Sequence, residues 1–162
     1  MNYFKISLGI FLALAASRFI PHPPNFTSLI ALSFYVPAIL GMRFIPALLI
    51  SLFFTDIILG MHNTIFFTWG SILFIGLLPR IFKGSIFKRI SGSIFGVLVF
   101  YILTNFGIWT IGMYGYTLTG LITSYVLAIP FFGYTLISTI LFSTLIECTL
   151  KFSEINFNKK II

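Results

Sequence analysis

Charged residues are scarce in this chain of 162 residues, because only 8% are charged whereas soluble domains carry about 25%. Acidic residues are rarer still, with three Asp and Glu against ten Lys and Arg. Since 59% of the residues are hydrophobic, the chain has too few polar groups to cover a soluble globule. The composition therefore predicts an all-α integral membrane protein, whose lipid partners cover most of its surface.

The residues of familiar catalytic and metal sites are also absent. The single cysteine, Cys148, excludes an internal disulfide and a cysteine-based metal cluster. The sequence has no nucleophile elbow, no phosphate-binding glycine loop and no pair of carboxylates on one helix face. We therefore expect neither an enzyme nor a resident cofactor. Because an ATP site is lacking too, uphill transport would need a separate energising partner.

The apolar runs predict one compact domain, residues 1–152, with six transmembrane helices and a short cytoplasmic tail at residues 153–162. The predicted helices cover about 4–19, 28–41 with a kink at Pro37, 45–60, 64–82, 92–112 and 131–151. The segment 117–129 is too short to span and is predicted as a re-entrant or interfacial helix before helix 6. Helix 2 is also short, so it is either extended by loop residues or stops short and leaves a cavity above it.

The distribution of basic residues predicts the orientation of the bundle. With six crossings, nine of the ten Lys and Arg fall on the side of the N-terminus, and Arg18 alone falls on the other. Basic loops stay in the cytoplasm, so both termini are predicted there, in a bacterial inner membrane. The same clustering explains the net charge of +7 without nucleic acid. A cleaved signal peptide ending at Ala13-Leu14-Ala15 is the alternative for helix 1.

The stretch Ser17 to Thr27, SRFIPHPPNFT, interrupts the apolar pattern with three prolines and several polar side chains. Proline fixes φ and lacks an N–H, so this segment is not helical. Irregular backbone at membrane depth is tolerated where protein buries it or where it lines a wet cavity. We therefore expect this loop to form one wall of a polar pocket on the outer face.

Varied polar and aromatic side chains gather on the predicted outer side, which is typical of a binding site for a small-molecule solute. The candidate ligand-binding residues are Arg18, His22, Asn25, Asp56, His62, Asn63, Asn105, Trp109, Tyr114 and Tyr116. Trp69 and Tyr125 join the aromatic set, which is either an interfacial belt or a stacking surface for a flat ligand.

Several of these residues have a purely structural alternative. Arg18 and Asp56 are predicted to pair or to reach one pocket, either as a structural ion pair or with Arg18 free for an anion. His22 and His62 with Asp56 would suit a metal, but their spacing is not diagnostic, and hydrogen-bonding roles are preferred. Asn25 and Asn63 are alternatively helix caps.

Small residues and one acidic residue predict contacts between helices. Gly9, Ala13 and Ser17 repeat every fourth position, so they line one face of helix 1, for internal packing or for docking a membrane partner. Gly92 and Gly96 form a GxxxG pair that favours close packing. A second acidic residue, Glu147, is one turn from Lys151, which predicts an ion pair along helix 6.

The motifs SRFIPHPPNFT, Asp56 to His62 (DIILGMH), Thr104 to Trp109 (TNFGIW) and Pro130 to Phe132 resemble an uncharacterised bacterial membrane family. Its six-helix layout is similar to the S-components of energy-coupling-factor (ECF) transporters. That resemblance implies capture of a vitamin-like solute or metal ion from outside, followed by docking on a transmembrane coupling subunit with two ATPases. S-components typically dock through alanine-type spacing on helix 1, from which Gly9 and Ser17 depart.

The sequence thus predicts an S-component-like protein that captures a small solute in an outward-facing pocket. The alternative is a membrane scaffold or assembly subunit without a ligand, in which the outer loop is purely structural.

Overall fold

The structure is a computed structural model that describes residues 3–152. Within that range the chain is all-helical and has no strand, as the composition predicts. The α-helices are α1 (Tyr3–Phe19), α2 (Leu29–Leu40), α3 (Ile45–Leu59), α4 (Ile65–Leu77), α5 (Ile86–Thr110), α6 (Leu118–Val126) and α7 (Ile129–Phe152). Short 3-10 turns precede α3 at Met42–Phe44 and follow α4 at Leu78–Arg80. The predicted tail, residues 153–162, lies outside the described residues.

Helix α2 forms the centre of the bundle. It packs against α4, α5, α7 and α3, and nine of its 12 residues are buried. A helix that is apolar on every side is buried either in a protein interior or in a membrane, and α2 is buried by its neighbouring helices. Pro37 lies inside this helix, and Gly41 ends it with a φ of 93°, a conformation that glycine adopts without steric cost. The shortest of the predicted spans is therefore the core helix of the fold.

The number of candidate spans differs from the six that the sequence predicts. Within residues 3–152, three helical segments are long and apolar enough to cross a bilayer: Met42–Leu59, Ile86–Thr110 and Ile129–Phe152. The others are shorter, with 17 residues in α1, 12 in α2 and 13 in α4. At about 1.5 Å per residue, α2 is only about 18 Å long. The three long helices indicate association with a membrane.

Helix α5 begins at Ile86 rather than near the predicted Gly92. Ser85 is its N-cap, and the Ser85 hydroxyl accepts a hydrogen bond from the Lys88 backbone N–H at 3.3 Å. The cap draws the end of the basic stretch into the first turns of the helix, so that Arg89 lies against the core with 4% of its surface exposed. A residue predicted in a solvated loop is thus an interior residue.

The GxxxG pair lies inside the fold, where α5 crosses α2 and α4. A Cβ at Gly92 would lie 2.6 Å from the Phe34 ring and 2.5 Å from Cβ of Phe82. A Cβ at Gly96 would lie 3.1 Å from the Ile75 side chain. The predicted close packing at this pair is confirmed.

The bundle has two chemically different ends. The loops 20–28, 60–64 and 111–117 form what we call the pocket end. The opposite end holds the start of α1, the 3-10 turn Met42–Phe44 and the loop 81–85, and there the Tyr3 hydroxyl donates to the Arg43 carbonyl at 3.0 Å. Because successive helices run up and down, Arg18 and Asp56 reach the pocket end, whereas Arg89 and Glu147 lie near the opposite end.

Candidate functional site

A cavity of about 340 Å³ opens at the pocket end, above the first residues of α2. Its size is that of a small-molecule site. Its lining mixes charged, amide, imidazole, hydroxyl and apolar groups: Arg18, His22, Asn25, Thr27, Leu29, Ile30, Leu52, Asp56, Leu59, His62, Thr68, Phe100 and Thr135. The cavity exists because α2 begins only at Leu29. The loop 20–28, which we call the proline loop, covers the remaining depth of the bundle.

A second cavity of about 390 Å³ adjoins the first and shares Asn25, His62, Thr68 and Phe100 with it. Helices α5, α6 and α7, the loops that connect them, and Thr64 before α4 supply the rest of its lining: Thr64, Thr104, Asn105, Ile108, Met113, Tyr114, Ser124, Leu127, Ala128 and Phe131. We call the two cavities together the outer chamber. The proline loop and the last turn of α3, which carries Asp56, thus meet at one end of the bundle.

The charged residues of the outer chamber form an ion pair. One Arg18 nitrogen, Nη1, lies 2.7 Å from Oδ1 of Asp56 and also donates to the Thr55 hydroxyl at 2.6 Å. The other Asp56 oxygen, Oδ2, accepts from the Trp69 indole N–H at 3.2 Å. Asp56 is 1% exposed, whereas the Arg18 side chain is 16% exposed at the chamber wall. The predicted pairing is present, and it ties α1, α3 and α4 together.

The proline loop is fastened to the end of α1. The His22 ring nitrogens lie 2.7 Å from the Pro23 carbonyl and 3.3 Å from the Arg18 carbonyl. Further back, the Ser17 and Ser28 hydroxyls are 2.7 Å apart, and Ser17 also accepts from the Ser28 backbone N–H at 3.1 Å. These contacts join the two ends of the loop to each other and to the end of α1. Polar side chains therefore stabilise its non-helical shape.

Asn25 lines both large cavities and a third of about 70 Å³ between α5 and α7. Its φ is 63°, and it is the one non-glycine residue with positive φ in the described part of the chain. Asparagine tolerates this left-handed conformation better than most residues. Across the chamber, the Asn105 amide donates to the Tyr101 carbonyl at 2.8 Å, which leaves the Asn105 amide oxygen as an acceptor.

Some predicted site residues lie elsewhere. Asn63 and Tyr116 are exposed, Trp109 is half-buried, and none of the three lines either large cavity. The Trp109 indole donates to the Thr117 carbonyl at 3.1 Å, and Tyr116 is 73% exposed. The loop after α5 therefore brings only Tyr114 of its aromatic side chains into the chamber.

The structure also bears on two alternatives for these residues: helix capping by Asn25 and Asn63, and metal binding by His22, His62 and Asp56. The N-cap residues of α2 and α4 are Ser28 and Thr64, not Asn25 and Asn63. His62 lies beside one of these caps, with Nδ1 3.2 Å from the Thr64 hydroxyl. Among residues 3–152, no three His, Cys, Asp or Glu side chains come close enough together to hold a metal ion.

Sequence reasoning missed the hydroxyl and phenyl groups of the wall: Thr27, Thr68, Phe100, Thr104, Ser124, Phe131 and Thr135. Ser and Thr are common on apolar helices, and Phe occurs throughout this chain. Because these helices are apolar on every side, no periodic pattern marks which of their faces lines a cavity. Their positions follow from the packing alone.

The opposite end holds a second ion pair, which corrects the prediction for Glu147. Arg89 donates two hydrogen bonds to the Glu147 carboxylate, from Nε to Oε1 at 2.7 Å and from Nη2 to Oε2 at 2.6 Å. The Tyr35 hydroxyl also donates to Oε1, at 2.8 Å. The expected partner, Lys151, is exposed one turn further on. Glu147 belongs to the contact surface of α2, α5 and α7, because the early start of α5 brings Arg89 to it.

The proposed docking residues of α1 divide into two groups. Gly9 and Ala13 are exposed, and a Cβ at Gly9 would have no atom within 4 Å. Ser17 instead faces Ser28. Beside them an apolar groove of about 570 Å³ runs between α1 and α3, lined by Tyr3, Phe4, Ser7, Leu8, Phe11, Ala47, Ile50, Ser51, Phe54 and Ile58.

Comparison with known proteins gives a family assignment and no functional relative. No curated protein and no solved structure matches the chain. A model of a family of unknown function, DUF6580, matches residues 2–159, which is nearly the whole length. The chain therefore belongs to the DUF6580 family.

Proposed function

We propose that this protein captures a small solute in the outer chamber, for uptake by a separate energising partner. The observation that carries the proposal is the chamber itself, in which polar groups from most of the helices converge above a core helix that stops short. In a protein so poor in polar residues, imidazole, amide and hydroxyl groups gathered around one cavity are typical of a binding site.

The proposal includes a membrane orientation. Six passes, with α6 lying at the interface, place the pocket end outside and both termini in the cytoplasm of a bacterial inner membrane, in accordance with the distribution of Lys and Arg. The short helices α1, α2 and α4 then cross as part of a bundle whose outer part is the chamber. Layout and orientation together are S-component-like.

Binding is tested with purified protein in detergent, by thermal unfolding against vitamins, purines and divalent metal ions. A solute present at 100 times its Kd stabilises the folded state by about 2.7 kcal/mol, which is a measurable rise in Tm. Small molecules that co-purify are identified by mass spectrometry. The proposal predicts a rise in Tm for at least one compound, and its failure with the whole panel contradicts solute capture.

Orientation is tested separately by cysteine labelling. Cys148 is free and exposed, so it is first replaced by Ser. A cysteine at Pro24, in the exposed proline loop, should react with an impermeant maleimide added outside intact cells. The matched control is Lys83→Cys in the exposed loop at the opposite end, which should react only after the membrane is opened. The reverse pattern contradicts the outward-facing chamber.

The alternative is a membrane scaffold that binds another subunit through α1. The apolar groove of about 570 Å³ between α1 and α3, next to the exposed Gly9 and Ala13, favours it. In that case Gly9→Leu abolishes assembly with the partner. The same substitution leaves solute binding at the chamber unchanged if capture is the function.

A further inference from the structure

The outer chamber holds one basic and one acidic side chain, which pair with each other. Its lining includes two charged side chains, Arg18 from α1 and Asp56 from α3, and their charges cancel at 2.7 Å. The parts of α2, α4, α5, α6 and α7 that line the chamber contribute hydroxyl, amide and apolar groups, but no Lys, Arg, Asp or Glu. A charged solute would therefore find no unpaired counter-charge there.

Asp56 is closed to a charged ligand, and the charge of Arg18 is offset by its partner. Each Asp56 oxygen already has a donor, Arg18 for Oδ1 and Trp69 for Oδ2, and the residue is 1% exposed, so a cation cannot reach the carboxylate. An anion approaching Arg18 would be repelled by Asp56 at 2.7 Å from the same guanidinium.

The two histidines of the chamber contact polar groups of their own loops or of the end of α1. The His22 ring nitrogens are placed against the carbonyl oxygens of Pro23 and Arg18, so the ring holds the loop. One ring nitrogen of His62 lies against the Thr64 hydroxyl. Neither ring forms an ion pair with a carboxylate of residues 3–152.

The chamber is instead equipped for uncharged hydrogen-bonding groups. The Asn25 side chain makes no hydrogen bond with the described residues, so both its amide N–H groups and its oxygen are available. Asn105 offers its amide oxygen, and Phe100 and Phe131 offer ring surface. Donors and acceptors of this kind recognise amides, hydroxyls and heterocyclic rings without compensating a formal charge.

We propose that the outer chamber selects an uncharged solute that carries several hydrogen-bonding groups, and rejects its ionised analogues. This inference rests on the proposed capture function and narrows its substrate class. Under this inference Arg18 is not a free anion receptor, because its Nη1 is engaged by Asp56 and Thr55 and its charge is offset by Asp56.

The test uses pairs of probes that share a ring and differ in whether they carry an ionised group: nicotinamide and nicotinate, uracil and orotate, and N-acetylglucosamine and protonated glucosamine. Binding to the purified wild-type protein is measured by calorimetry. We expect the uncharged member of any pair that binds to do so at least about tenfold more tightly. Tighter binding of an ionised member overturns the inference while supporting capture, whereas no binding by any of the six contradicts capture of this class of solute.

Two variants sharpen the result. Asp56→Asn leaves the Arg18 charge unpaired in an almost unchanged shape, and should shift the preference about tenfold toward nicotinate or orotate. The double variant Arg18→Gln/Asp56→Asn removes both charges and should keep the wild-type preference, which also covers the case in which the single variant folds poorly. An unchanged preference in a folded Asp56→Asn protein shows that the pair does not set the charge selectivity.

Discussion

The two ends of the bundle each contain an arginine paired with a carboxylate, and the surroundings of the two pairs differ. At the opposite end, the Arg89 and Glu147 side chains are 5% and 6% exposed, joined by two parallel contacts and closed by Tyr35. At the pocket end, Arg18 meets Asp56 through one nitrogen, is 16% exposed, and borders a cavity. The same types of residue thus form a buried contact between helices at one end and part of a cavity wall at the other.

This difference in burial indicates that the two ion pairs have different roles. A fully buried and fully bonded pair leaves no group for a ligand, so the Arg89 cluster fastens α2, α5 and α7 together. The Arg18 pair fixes the chamber wall and sets its charge, because part of its guanidinium still faces the cavity. Variants of the Arg89–Glu147 pair should therefore change stability more, and variants of the Arg18–Asp56 pair should change solute binding more.

The largest effect is expected from Glu147→Gln, which leaves the Arg89 charge buried without its counter-charge. Breaking a buried pair from one side destabilises a protein by about 3–5 kcal/mol. The free energy of unfolding is measured by SDS titration in mixed micelles. Lys151→Gln is the matched control, because it removes an exposed charge one turn further along α7 and should have little effect. Equal effects of the two variants would contradict the structural role of the Arg89 cluster.

Tyr35→Phe should have the next largest effect. It removes the hydroxyl that donates to Glu147 at 2.8 Å while keeping the ring that packs in the core. Loss of a hydrogen bond to a charged group costs about 1.5–3 kcal/mol. Tyr134→Phe on α7, whose ring is 39% exposed, is the control and should leave the unfolding midpoint unchanged. Solute binding should be unaffected by either substitution.

The two pairs also show what the sequence can predict. Arg18 and Asp56 are the only charges of the predicted outer half, so their pairing follows by elimination. Arg89 instead lies among several basic residues at a helix start, and Glu147 has Lys151 at the favourable spacing. The true pairing depends on the Ser85 cap, which sets the first turn of α5, and on the crossing of α5 with α7.

Most helix boundaries could be predicted because turn residues mark them. Gly41 and Gly60 end α2 and α3 at φ values of 93° and 108°, and the prolines exclude a helix between α1 and α2. The interior of the chamber could not be predicted, because Thr68, Phe100 and Thr135 lie on helices without a polar side. The predicted number of crossings differs from the number of long helices for a related reason, since buried helices such as α2 have no need to be long.

At the pocket end, Asp56→Asn should cost less stability than Glu147→Gln. The Arg18 guanidinium that remains is partly exposed to the chamber, where water can solvate it. We expect a loss of about 1–2 kcal/mol, between the values for exposed and buried pairs. Unfolding is again followed by SDS titration. A loss of stability as large as that of Glu147→Gln would show that the Arg18–Asp56 pair is structural, like the Arg89–Glu147 pair.

The smallest change in stability, with a selective change in binding, is expected from Asn25→Gly. Glycine accepts the left-handed backbone of Asn25, so the substitution removes the amide without straining the loop, and unfolding should shift by less than about 0.5 kcal/mol. If Asn25 contacts the solute, the Kd rises by about fivefold to tenfold, which corresponds to one hydrogen bond. Asn63→Gly removes the same amide from an exposed loop at the same end and should leave the Kd unchanged. Calorimetry with the tightest uncharged probe measures both, and an equal Kd for the two variants would place the solute away from the proline loop.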